Sequence, residues 1–161
     1  MGKKNKKNQV PSNERIISEN RKARHEYHIL ESLECGIMLV GSEVKSLRSG
    51  TVALAEAYGR LRNGEVWLVG CDIPEYLEAN RFNHKPKRDR KLLMHRREIE
   101  RFAKRAYEKG LTLVPLRMYF KEGKAKVLLG LCKGKQEFDK RNAQKKAEAT
   151  KALRLSMMHR R

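Results

Sequence analysis

Apolar positions change their spacing several times along the chain, and each change marks an element. Between Arg15 and Val40, Ile16, Ile17, Tyr27, Ile29 and Leu33 recur around polar residues with near-alternating spacing. A period of two is the signature of half-buried antiparallel strands. Gly36 and Gly41 bracket Ile37-Met38-Leu39-Val40, a short apolar run expected to form a buried strand. Gly50 closes the next segment, after Val44 and Leu47. The clearest hairpin is predicted over 57–70, where Asn63-Gly64 suits a type I′ turn because both central residues need positive φ. Tyr58 and Leu61, with Val66 and Leu68, supply its strand faces.

The spacing then lengthens. Ile99, Phe102, Ala103, Ala106 and Tyr107 fall at helical intervals within 95–109, and Gly110 fits the position just past a helix end. His95 with Glu98 three residues later resembles a weak capping box. Two more strands are predicted over 111–120 and 124–132, joined around Glu122-Gly123, with Pro115 imposing a bulge or an edge. Gly134 is the last glycine and no proline follows Pro115, so the remainder is rich in helix formers. It has few large apolar residues before Leu153, and an isolated helix is costly to nucleate. The tail is therefore expected to be disordered when free and helical when docked. Ala149, Leu153 and Met157 would form its contact line; the alternative is a solubilising tail with no fixed contacts.

This divides the chain into a disordered basic arm at 1–12, a body at 13–132 and a basic tail at 133–161. At least six strands and one helix, with hairpins dominating, predict a mainly β fold. We expect an OB-like antiparallel β-barrel with a few flanking helices; a mixed α+β sandwich is the alternative.

Charge narrows the function. The 161 residues include 38 Lys+Arg against 19 Asp+Glu, a formal net charge of +19. The excess is uneven: residues 26–79 carry 4 basic and 9 acidic side chains, whereas 80–105 carry 11 and 3, and 133–161 carry 10 and 3. A mildly acidic body with basic surfaces points to a polyanionic partner. No apolar run approaches the roughly 18 residues of a membrane span, and no apolar h-region follows the basic N-terminus. No membrane partner is expected. Cys35, Cys71 and Cys132 are odd in number and lack a CxxC pair, as in a reducing cytoplasm, and read as small buried hydrophobes.

Catalytic patterns are missing. There is no GxSxG, no HExxH and no complete phosphate loop; Gly130 to Gln136 is one residue short of the last and reads as a turn ending a strand. His25 and His28 would face opposite sides of a strand, and no ligand set accompanies them. Glu31, Glu34 and Glu43 on strand-like segments read as solvated or ion-paired. No catalytic residue, metal site or cofactor is expected.

Binding chemistry is richer. Asn20, Arg21, Lys22, Arg24, His25 and Tyr27 pack cations among polar and aromatic groups suited to phosphate pairing and base stacking. The segment 84–91, with Arg88, Arg90 and Lys91, reads as a proline-stiffened loop presenting charge just before the helix. Lys45 precedes Arg48 in another charged segment, and Lys124 and Lys126 share a strand face. Without a recognition helix or zinc finger, such a barrel is expected to meet RNA.

Several strings resemble one bacterial family. Asn20-Arg21-Lys22-Ala23 through Tyr27, Gly41-Ser42-Glu43-Val44-Lys45-Ser46-Leu47-Arg48, Arg90-Lys91-Leu92-Leu93, the run from Gly110 to Leu116, and Gly134-Lys135 with Asp139-Lys140-Arg141 are similar to the SsrA-binding protein (small protein B) family, in order. The resemblance implies an OB-like barrel that binds the tRNA-like domain of transfer-messenger RNA (tmRNA, SsrA RNA). It implies delivery, alongside elongation factor Tu on alanylated tmRNA, to ribosomes stalled on messages without a stop codon. The tail would probe the empty message channel of the small subunit near the decoding centre, enabling trans-translation and tagging for degradation. By motif, Glu34, Leu93 and Lys126 match RNA-contact positions. Lys133, Gly134, Lys135, Asp139, Lys140 and Arg141 match the junction between barrel and tail, with Lys145, Lys151, Leu153, Arg154 and Met157 further along as ribosome contacts. Many family tails carry a tryptophan where this one reads Glu148-Ala149-Thr150, leaving Leu153, Leu155, Met157 and Met158 to supply apolar contacts. The competing readings are a structural ribosomal protein and, without support from the residues, a small nuclease using His25.

Overall fold

Seven strands and short helices form the body in the computed structural model, which describes residues 13–158. The arm expected at 1–12 and the tail's last three positions lie outside the described residues. Strand β1 (Glu14–Glu19) is followed by helix α1 (Arg21–Glu26) and β2 (Tyr27–Ile37). The alternating pattern read across this region as strand is thus interrupted. Asn20 causes the break: its Oδ1 accepts the backbone N–H of Ala23 at 3.1 Å, capping a helical turn that buries only Ala23.

Strand β2 ends at Ile37, so Met38–Val40 does not extend it as a buried strand; Met38 and Val40 are 53% and 46% exposed. Instead the Glu43 carboxylate accepts the Val40 N–H at 2.9 Å and starts helix α2 (Gly41–Ser49). Glu43 therefore sits on a helix, not a strand. Gly50, at φ 113°, ends α2 by donating its N–H to Ser46 and Leu47 carbonyls.

The hairpin of β3 (Tyr58–Arg62) and β4 (Glu65–Val69) turns at Asn63 and Gly64, with φ of 51° and 74°, as the type I′ reading requires. A 3₁₀ turn (Leu77–Phe82) leads to β5 (Arg90–Leu93), so the basic segment at 84–91 ends inside a strand. Next comes one helical stretch: α3 (Arg96–Glu98), a π-helical turn (Ile99–Ala103) and α4 (Lys104–Glu108). Glu98 accepts the His95 N–H at 2.8 Å. Phe102, Ala103 and Ala106 enter the core and Ile99 packs against it, whereas Tyr107 is 82% exposed. Strands β6 (Thr112–Lys121) and β7 (Lys124–Gly134) turn at Glu122-Gly123, again with positive φ at both.

All pairings are antiparallel. In the order β3-β4-β5-β2-β7-β6 the strands return to β3, giving a closed OB-like ring, with β1 added along β6. The closing contact is narrow: β3 meets β6 through the single pair Gly59 and Leu113. A Cβ on Gly59 would lie 2.7 Å from the Leu113 Cβ, so glycine permits the approach. Pro115 creates the expected bulge between Pro115 and Arg117, but β6 is no edge, since it pairs with β1, β3 and β7. Val66, Leu68, Leu92, Met118, Val127, Leu129 and Leu131 fill the ring, joined by Phe102 and by Leu47 of α2. A second cluster outside the ring seats Ala23 of α1 on Val114, Leu116 and Cys132.

The tail takes the helical form expected of it when docked. Glu137–Met158 forms α5, 22 residues with no buried side chain. An uninterrupted run of helix formers favours it locally, with Glu137 and Arg141 paired at i and i+4.

Candidate RNA interface

Register places three of the expected contacts side by side. Gly36 on β2 pairs with Leu93 on β5 and with Lys126 on β7, and Glu34 lies two residues back on the same face of β2. Gly36 forms the floor: a Cβ there would meet the Leu93 Cβ at 3.1 Å. Leu93 is 48% exposed and borders a depression of about 300 Å³ with Gly36, Lys124 and Lys126. An apolar wall beside two ammonium groups can hold a base or ribose while neutralising its phosphate.

Glu34 is shaped by neighbours the sequence reading missed. Its carboxylate accepts a short hydrogen bond from the Tyr119 hydroxyl, and the Lys121 ammonium lies 3.1 Å away. The Tyr119 bond holds the Glu34 pKa below the usual carboxylate range against the opposing effect of burial, with Lys121 and Lys126 assisting. Burial first, and then the bond to Glu34, raises the Tyr119 pKa. Glu34 is therefore an ionised, oriented acceptor able to take base amino or ribose hydroxyl donors. Tyr119 and Lys121 lay hidden because alternation counted from Leu113 places them on the wrong phase until the bulge is included.

Other expected contacts turn inward. Arg90 is fully buried: its Nε donates to Glu43 at 2.8 Å and its terminal nitrogens to the Cys71, Arg88 and Pro86 carbonyls. Arg88 grips the same carboxylate through Nε at 2.7 Å and a terminal nitrogen at 2.6 Å, with its side chain 31% exposed. Burial would raise the Glu43 pKa, but the bonds from Arg88, the Val40 N–H and Arg90 hold it below its ordinary value. The Arg90 side chain, expected as an RNA contact, is thus spent inside the body, where this motif fastens α2 to the start of β5. His84 is likewise buried, bonded to Ser42 and the Ile73 carbonyl. Lys91 pairs with Glu65, and Lys45 is exposed on α2, over the Tyr76 ring.

The motif around α1 forms a second surface. Asn20 is 4% exposed and spends its side chain on Ala23 and on the Leu54 and Pro115 carbonyls, so it positions α1. Arg21, Lys22, Arg24 and His25 remain exposed, with Lys22 paired to Glu56 and Arg24 to Glu19; Tyr27 is half-buried against the Ala23, Val114, Leu116 and Cys132 cluster. This surface meets the tail's root. Lys135 donates its backbone N–H to the Glu26 carbonyl at 2.8 Å and its ammonium to the Arg24 carbonyl at 3.0 Å. Asp139 lies 3.4 Å from the His28 ring. Lys133 and Gly134 end β7, exposed, and Lys140 and Arg141 open α5. Lys145, Lys151, Leu153, Arg154 and Met157 continue along α5, exposed, with Leu153 and Met157 on one face with Ala149.

The chain is similar to known proteins over most of its length. The family model described as SmpB protein matches residues 17–159. An SsrA-binding protein of Rhodopirellula baltica is 53% identical over 156 residues, covering 96% of this chain and 86% of that protein. One from Carboxydothermus hydrogenoformans is 56% identical over 140 residues, covering 87% and 94%. A solved structure described as "tmRNA-SmpB: a journey to the center of the bacterial ribosome" is 50% identical, with a TM-score of 0.64, covering 74% of this chain and 85% of that one. With about half the residues identical across most of its length, this chain belongs to the SmpB protein family.

Proposed function

We propose that the chain binds the tRNA-like domain of tmRNA and delivers it to stalled ribosomes, acting by binding alone in the cytoplasm. The observation that carries this is the convergence of Glu34, Leu93 and Lys126 on neighbouring strands, around a glycine floor. An ionised acceptor, an apolar wall and a cation together suit folded RNA whose bases and riboses are accessible at a bend or loop. The exposed cations of α1 extend the RNA surface, and the root of the tail beside them faces the ribosome. Helix α5, 22 residues and about 33 Å long, carries Lys140, Arg141, Lys145, Lys151 and Arg154 into the message channel.

The test is binding of purified protein to tmRNA and to an unrelated tRNA across a salt series, with Lys126→Ala beside the parent. Preference for tmRNA that persists at raised salt, and is weakened in Lys126→Ala, is the expected result. Equal binding that collapses in parallel with salt would reduce the protein to a generic basic RNA binder. Removing 139–161 should spare RNA binding and abolish tagging of stalled products; normal tagging by the truncated chain would refute the tail's part.

A further inference from the structure

We infer that Arg117 is a phosphate-binding residue that joins the Glu34 face and the α1 surface into one RNA track. The inference rests on the RNA-binding reading of that face and extends it to a residue outside the motifs. In an unbroken strand, Leu113, Pro115 and Arg117 would share the core-facing side. The register shift between Pro115 and Arg117 reverses the phase, so that Met118 and Phe120 pack on the core while Arg117, Tyr119 and Lys121 turn outward.

Arg117 is held there without a partner of its own. Its guanidinium lies 5.2 Å from the centroid of the Tyr119 ring, and Tyr119 is itself fixed by its hydroxyl bond to Glu34. The Arg117 Nε is buried and makes no hydrogen bond. Its cross-strand neighbour on β1 is Glu19, but that carboxylate pairs with Arg24 at 3.0 Å. Among the described residues Arg117 has no ion pair, although it is half-buried. Partial burial of an unpaired guanidinium is unfavourable within the folded chain, and a phosphodiester relieves it through paired N–H to oxygen bonds. Stacking on a locked ring pre-orders the fork that makes such bonds. On one side of Arg117 stand Glu34, Lys121 and Lys126; on the other, across Glu19, stands Arg24 of α1.

The experiment uses the full chain and the tRNA-like domain of tmRNA as probe, with dissociation constants measured across a salt series and thermal melting of each variant. Arg117→Ala should weaken binding by about tenfold and lower the slope of log affinity against log salt by about one, with melting unchanged. Arg117→Lys should recover the slope without recovering full affinity, since an ammonium supplies charge without the fork. Lys109→Ala, an exposed cation at the end of α4, should change affinity far less. Loss of melting temperature in Arg117→Ala with an unchanged salt slope would make Arg117 a scaffold residue and overturn the inference. So would an effect no larger than that of Lys109→Ala. If Arg117→Ala binds normally while Lys126→Ala does not, Arg117 leaves the interface and the reading of the face stands; if both bind normally, that reading fails.

Discussion

Replacing Glu43 with glutamine removes one charge from the most enclosed ionic cluster of the body. Glu43 and Arg90 are both fully buried, and the carboxylate accepts four hydrogen bonds, three from guanidinium nitrogens at 2.6–2.8 Å and one from the Val40 N–H. Glutamine keeps one acceptor oxygen but turns an amide donor toward a donor. Arg88, with its side chain 31% exposed, can swing to water. Arg90 cannot, and its remaining bonds go to neutral carbonyls. Breaking a buried pair from one side costs about 3–5 kcal/mol; relaxation of Arg88 favours the lower end, about 3 kcal/mol. Against a total stability of roughly 5–15 kcal/mol that is a large fraction, and it lowers Tm by on the order of 10 °C.

Trp67 is the single tryptophan and lies on β4, so urea unfolding can be followed by its fluorescence. The midpoint should fall by about 1–2 M with the slope unchanged. The folded-state pKa of Glu43 is depressed. Its stabilising contribution is therefore complete above the unfolded value, near ~4.3, and is lost as pH falls through the lower folded value. Parent and variant stabilities should converge in acid. A variant as stable as the parent at neutral pH would show that Arg90 does not depend on Glu43, and would return Arg88 and Arg90 to the pool of candidate RNA contacts.

Tyr119→Phe removes the foremost cause of the low Glu34 pKa, so the carboxyl should titrate at higher pH in a carbon-detected NMR experiment; an unmoved titration would refute the assignment. Because that pKa is depressed when folded, the Glu34 contribution is present above the unfolded value and disappears as pH falls through the folded one, so the variant's stability should depend less on pH in the acid range. Gly36→Ala places a Cβ 3.1 Å from that of Leu93, so the half-exposed end of β5 has to give by a few tenths of an ångström. Stability should change by less than about 1 kcal/mol while RNA affinity falls, and unaltered affinity would remove Leu93 from the interface.

What the sequence discloses is mostly what neighbouring residues decide. Asn63-Gly64 and Glu122-Gly123 turn their hairpins through backbone preferences contained in two residues, and the 95–109 stripe reaches the core because helical spacing is equally local. Helix α1 escaped because one capping asparagine outweighs the alternating pattern around it. Arg88 and Arg90 look like phosphate ligands in any local reading. Their partner stands 45 and 47 residues away, and only the closed ring brings it beneath them.

The candidate interface was half legible for the same reason. Family-like strings led to Glu34, Leu93 and Lys126, and the pairings of Gly36 set Leu93 and Lys126 beside the Glu34 face. The residues that give Glu34 its character come from β6, and their side of the sheet depends on one extra residue at Pro115–Arg117. That bulge has two effects at once. It releases the Pro115 carbonyl to Asn20, which anchors α1, and it turns Arg117, Tyr119 and Lys121 outward, which builds the face around Glu34. The α1 surface and the Glu34 surface are therefore set by a single irregularity of one strand. A change that straightened β6 would disturb both together, even though it touched no residue of either.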